Sequence, residues 1–168
     1  MPRLPYPKLA PEAYKSLQSL GHYLRTATSL DAVLLGLVDL RASQLNRCGF
    51  CIGMHTKELK HANEPESRIN AVANWRESDA FTPRERAALA WTEEITNIQD
   101  GHASDDAYAA VSEYFKEKDL VDLTFAIATI NAWNRLAIAF RAEWNPSIRP
   151  GSGARAQEPA AANSAVTS

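Results

Sequence analysis

Both cysteines of the 168-residue chain lie two residues apart in Arg47-Cys48-Gly49-Phe50-Cys51-Ile52-Gly53-Met54-His55, and a carboxylate, Glu58, follows one turn later. Each residue of an α-helix advances about 100°, so positions 48, 51, 55 and 58 of a helix share one stripe. Two thiols, an imidazole and a carboxylate on one stripe are the parts of a redox site. The thiolate is the reactive form of cysteine, and the unpaired N–H groups of a first helical turn, with a nearby imidazole, bring a thiol pKa of about 8.5 toward neutrality. Helical side chains lean toward the amino end, so His55 reaches back over the turn that carries Cys51, the direction a base needs. An i, i+3 pair of sulfurs can approach disulfide geometry, so one thiol can resolve the sulfenic acid of the other.

Other chemistries compete for these residues. A zinc site would take Cys48, Cys51 and His55 as three ligands and a fourth from His22, His61, His102 or a carboxylate. No second ligand pair stands elsewhere in the sequence, so no metal is expected. Covalent haem attachment needs histidine directly after the second cysteine, where Ile52 stands. Free cysteines also pack as small hydrophobes, although His55 in register argues against two inert thiols. Asp39 lies in an apolar stretch where a buried acid needs a partner, with Arg41 and Arg135 as candidates. Glu58, between Lys57 and Lys60, reads first as a solvated residue and second as a relay carboxylate. His22, His61 and His102 have no partner at chemical spacing and read as surface residues.

The elements that would position this site are helical. Tyr14, Leu17, Leu20 and Leu24 fall on one face of a first helix. Residues 29 to 46 are apolar on most sides, which predicts a central buried helix weakened locally by Gly36. Pro65 suits the first turn of a short helix through Asn74. Thr82-Pro83-Arg84-Glu85 is a capping box with proline at the first helical position, and Gly101 suits a stop. Ser104 caps a further helix, and Leu120 to Arg141 predicts a long last one. Asn131, Asn134 and Arg135 on that apolar helix must find hydrogen bonds, so they read as interhelical or intersubunit structure rather than substrate contacts. No run alternates as a strand would. The fold class is all-α, a helical bundle, with a proline-rich extended arm over residues 1–10, a helical domain over 11–145 and a tail over 146–168 too polar to order.

With 18 Lys and Arg against 20 Asp and Glu and no basic run, nucleic acid is an unexpected partner. No segment reads as a signal peptide or as the roughly 20 apolar residues of a membrane span, so a soluble, cytoplasmic protein is expected. A Cys-x-x-Cys pair in a reducing compartment is more often redox-active or metal-binding than structural.

The segments LVDLRASQLNRCGFCIGMHTKEL, AFTPRERAALAWTEEIT and LVDLTFAIATINAWNRLAIAFR together resemble the alkylhydroperoxidase D and carboxymuconolactone decarboxylase family, in its alkylhydroperoxidase-like branch. The resemblance implies a thiol-dependent peroxidase acting on organic hydroperoxides or hydrogen peroxide, assembled as a trimer or hexamer. By the same resemblance Cys51 forms the sulfenic acid, Cys48 is proton donor and resolving thiol, and His55 is the base. A dithiol, lipoamide or thioredoxin-type reductant is implied, and no cofactor beyond the cysteine pair. Two relay positions depart from the family's pattern, because Gly36 and Phe50 stand where a glutamate and a histidine are usual; Asp39 and Glu58 are the possible relay carboxylates. That loss keeps open a redox-responsive interaction module or a disulfide oxidoreductase with little turnover. A lactone decarboxylase reading rests on fold alone.

Overall fold

A computed structural model describes residues 1–145 and Ser147, and the expected tail, residues 146–168, otherwise lies outside the described residues. The described residues are helical, without strands. In chain order the helices are α1 (Tyr6–Leu9), α2 (Pro11–Thr26), α3 (Ala32–Leu45), α4 (Gly49–His61) and α5 (Glu66–Ala71). A 3-10 turn (Val72–Glu77) leads to α6 (Pro83–Thr96), α7 (Ile98–Gly101), α8 (Asp105–Ser112) and α9 (Glu117–Phe140).

Helix α3 is central because it is apolar all round. Leu34, Leu35 and Val38 join a core with Leu24, Trp91, Phe115 and Ile127. Leu37 and Leu40 face a second core with Leu59, Trp75, Phe81 and Leu89. Two cores on opposite faces remove the polar stripe that a surface helix would need. Asp31 caps α3 by accepting the N–H of Leu34 at 2.8 Å. The Thr82 capping box forms as the sequence predicts, with Glu85 answering the Thr82 N–H at 2.8 Å, and Ser104 caps α8.

Several boundaries differ from the sequence expectation. Pro65 is the residue before α5, which stops at Ala71, and Asn74 (φ −127°, ψ 41°) breaks the helix expected to run through it. Helix α6 ends at Thr96, and Gly101 closes only the single turn α7, where His102 takes a left-handed φ of 52°. Helix α9 starts at Glu117 and has the length and hydropathy of a membrane span, contrary to the expectation that no segment has them. Its Asp122, Asn131 and Asn134 are instead buried within the bundle. The proline-rich arm is not simply extended. It contains α1 and lies on its own chain, with the Arg3 N–H bonded to the Phe140 carbonyl at 2.9 Å and Tyr6 stacked on Phe140 at 5.1 Å.

Gly36 has a packing reason beyond its propensity. A Cβ there would stand 2.7 Å from Cδ2 of Leu59, a side chain only 1 % exposed. The glycine therefore sets how closely α4 lies against α3. Gly36→Ala should lower stability by about 1–3 kcal/mol through overpacking, and Leu59→Ala by about 2–5 kcal/mol through the cavity it leaves. Because both changes act on one space, the double variant should lose clearly less than the sum in urea unfolding. Additive losses would show that the two sites do not share that contact.

Candidate active site

The turn between α3 and α4 delivers the first thiol. Arg47 adopts a left-handed φ of 56°, and the Cys48 N–H then bonds back to the Ser43 carbonyl at 3.0 Å, a closure that ends α3 and starts α4 within two residues. Cys48 is thus the N-cap of α4 rather than a first-turn residue, and its sulfur accepts the Cys51 N–H at 3.4 Å. Both cysteines are free and 1 % exposed, packed with Ala137 of α9.

One proton is shared unevenly between them. The thiol of Cys51 donates to Cys48 and, despite burial, the Cys51 N–H and the charge of His55 help to hold the Cys48 pKa down to about 7. The same hydrogen bond, together with burial and the charge on Cys48, pushes Cys51 up, opposed by the Asn134 side chain. Of the two sulfurs, Cys48 is the one that ionises first.

His55 shares the stripe, as the spacing predicts, and is 2 % exposed. Its Nδ1 lies 2.9 Å from Oε2 of Glu58 and 3.7 Å from Oδ2 of Asp39. Burial works against the imidazolium, yet Asp39 and Glu58 outweigh it and raise the His55 pKa. Burial likewise raises the Asp39 pKa, while His55 and Arg25 draw it down. Nε2 of His55 is buried without a hydrogen-bond partner.

The candidate relay carboxylates converge on the imidazole, with two corrections. Asp39 pairs with Arg25 at 3.2 Å, not with Arg41, which pairs with Glu93 at 2.7 Å, nor with Arg135, which donates to Asn131. Arg25 was missed because helix α2 brings it from 14 residues away. Glu58 is not a solvated residue, since its side chain is 20 % exposed and bonded to His55. Phe50 packs edge-on against Trp144 at the rim of the thiols. His22, His61 and His102 are exposed, as expected. Among the described residues, no group of three or more His, Cys, Asp and Glu side chains is placed to hold a metal ion.

Two cavities open on the carboxylate side. One of about 390 Å³ is lined by Arg25, Leu35, Asp39, His55, Glu58 and Trp133 among others, and a second of about 300 Å³ shares Arg25, Asp39 and Glu58. Neither is lined by the cysteines. On the thiol side stands Tyr6 of the arm, whose phenol pKa is raised by burial and by the charges of Cys51 and Cys48.

Comparison with known proteins bears on the family and the fold. The family model described as the carboxymuconolactone decarboxylase family matches residues 11–94. The uncharacterized protein YdfG of Bacillus subtilis (strain 168) is 38% identical over 137 residues, which are 82% of this chain and 92% of YdfG. A crystal structure from Agrobacterium tumefaciens, of a protein of unknown function named as a candidate AhpD antioxidant-defence protein, superposes with a TM-score of 0.83 at 39% identity, covering 86% of this chain and 99% of that one. The debrominase Bmp8 bound to 2,3,4-tribromopyrrole shares the fold alone, with a TM-score of 0.71 at 16% identity over 82% of this chain and 73% of its own. The family match spans half of the chain and the YdfG match most of both proteins, so the chain belongs to the carboxymuconolactone decarboxylase family.

Proposed function

We propose that the protein is a thiol-dependent peroxidase that reduces organic hydroperoxides or hydrogen peroxide through the Cys48 and Cys51 pair. The observation that carries this reading is a thiolate-favouring N-cap sulfur paired with a second thiol, both 1 % exposed, beside a carboxylate-held imidazole. A peroxide is small enough to reach sulfurs so deeply set.

In the proposed reaction the Cys51 thiol passes its proton to the Cys48 thiolate as the Cys51 sulfur attacks the terminal peroxide oxygen. The O–O bond breaks, Cys51 becomes a sulfenic acid, and Cys48 returns the proton to the departing alkoxide, which leaves as the alcohol. The Cys48 thiolate then attacks the Cys51 sulfur and forms the disulfide. Hydroxide departs and takes a proton from His55, the group that took up the Cys48 proton at the start. A dithiol of the lipoamide or thioredoxin class restores both thiols with two electrons and two protons. Asp39 and Glu58 hold the imidazolium between these steps, in place of a carboxylate at position 36. We place the enzyme in the cytoplasm as a homo-oligomer, trimeric or hexameric, and sedimentation of the purified protein tests the assembly.

A second reading of the sulfurs rests on the lowered pKa of Cys48, which makes it the resting nucleophile, with Cys51 resolving. Intact-mass measurement after stoichiometric peroxide separates the two. Cys48→Ser should trap one added oxygen on Cys51, and Cys51→Ser should be unreactive at neutral pH. The reverse pattern transfers the nucleophile to Cys48, and no oxygen on either variant, with no disulfide in the parent, removes the peroxidase reading. A redox-responsive interaction module would instead close the disulfide once without steady-state peroxide consumption in the presence of a dithiol.

The His55 environment yields a pH prediction. Its pKa is raised in the folded protein, so its contribution to stability is full below the unfolded pKa of about 6.5 and is lost as pH rises through the folded pKa. Glu58→Gln removes the charge-assisted bond at Nδ1, worth about 1.5–3 kcal/mol. The stability gap between parent and variant should be full below the unfolded imidazole pKa of about 6.5 and should close as pH rises through the raised folded pKa of His55. A gap that is independent of pH would detach Glu58 from the charge on His55.

A further inference from the structure

The thiol pair has a solvent boundary that the helical core does not make. Cys48, Cys51 and Ala137 of α9 are buried together, and the partly buried side chains packed against them are Phe50 and Ala142. Ala142 stands just past α9, where Arg141 takes a left-handed φ of 54° and the Ala142 N–H closes back on the Ala137 carbonyl at 2.8 Å. The chain beyond that turn reaches α4. Trp144 meets Phe50 edge-on, with ring centroids 6.0 Å apart. Its indole also lies on Gly53, where a Cβ would stand 2.7 Å from Nε1 and 2.8 Å from Cδ1 and Cε2. Gly53 is inside α4, a place where glycine is a poor helix former, and the indole occupies the space of its missing side chain. Residues 141–145 belong to no helix, and none of them is buried.

We propose that Trp144 is a removable cover of the Cys48 and Cys51 pair, seated on Gly53 and Phe50, whose lifting sets which reagents reach the sulfurs. Behind the pair, α3 and α9 are joined by hydrogen bonds from Asn134 to Ser43 at 3.1 Å and from Asn46 to Asn131 at 2.8 Å. Opening on that side would take the bundle apart, whereas Trp144 can lift with every helix in place. The two cavities on the carboxylate side do not reach the sulfurs. The arm holds the root of the cover, since Arg3 bonds the Phe140 carbonyl at 2.9 Å through its N–H and the Ala139 carbonyl at 3.1 Å through Nη1. For its purpose the inference rests on the proposed thiol chemistry, because the dithiol that restores the pair must contact a sulfur that is now 1 % exposed.

The test is the rate at which the reduced full chain is alkylated by iodoacetamide and by a bulky fluorescein maleimide. Trp144→Ala removes the cover. Gly53→Ala displaces the indole while favouring the helix, so faster labelling of that variant cannot come from a loosened α4. Both variants should label faster than the parent, by about tenfold with the maleimide, as the loss of one aromatic contact shifts a local opening. The gain with iodoacetamide should be smaller. The double variant should label no faster than Trp144→Ala alone, because both changes act on one contact. Parent rates in variants that circular dichroism shows to be folded overturn the inference. An equal gain for both reagents overturns it too, since that reports a more ionised thiol rather than an opened cover. A double variant that labels faster than Trp144→Ala does the same, by detaching Gly53 from the indole. The labelling uses no peroxide, so faster labelling in a protein whose parent consumes none supports the cover while refuting the peroxidase.

Discussion

The site depends on the hydrogen bond from the Cys51 N–H to the Cys48 sulfur. It makes the first cysteine the cap of α4, and a cap that is a sulfur is stabilised most when it is an anion. That bond exists only because the chain reverses within two residues, with Arg47 in a left-handed conformation and the Cys48 N–H returned to Ser43. A non-glycine residue at such a φ is strained by roughly 1–2 kcal/mol, which the closure around Cys48 must offset. The cap on α4 follows from this one turn.

Charge inside the bundle is managed by clustering rather than by exposure. Asp39, Glu58 and His55 would each be unfavourable alone at their depth, but Arg25 and the imidazole compensate the acids and the acids compensate the imidazole. The cavities reach this cluster and not the sulfurs. His55 therefore stands between a side that solvent protons can approach and a side where the thiols are dry. Its Nδ1 is bonded to Glu58, and its Nε2 is buried without a partner.

How much of this was legible in the sequence varies with the range of the interaction. The stripe of Cys51, His55 and Glu58 and the cap at Thr82 are local, set by helical spacing, and they form where the spacing puts them, with Cys48 standing just ahead of the helix as its cap. Central placement of α3 was equally legible, because a helix apolar on every side has nowhere else to go. What could not be read were partners brought from afar. Arg25, at the end of α2, reaches Asp39 only through the tertiary fold, and nothing in the spacing of Arg41 or Arg135 revealed that Glu93 and Asn131 would claim them. The polar residues of α9 were visible as an anomaly, and their structural reading holds for Asn131 and Arg135. It holds for Asn134 as well, which bonds across the interface to Ser43 and Asn46.

Gly36 and Asp39 show how a site can lose one relay residue and keep a carboxylate. Glycine at 36 lets Leu59 approach so closely that no side chain fits there, which removes the acid that the family pattern puts at that position. One turn along the same helix, position 39 projects from nearly the same face, because three residues advance about 300°. Asp39 reaches the imidazole from 3.7 Å and is shared with Arg25. Glu58 supplies the shorter contact at 2.9 Å from α4 itself. The imidazole is thus held by two weaker claims instead of one strong one. The tight crossing of α3 and α4 and the division of the acid between two helices are a single consequence of the missing side chain at position 36.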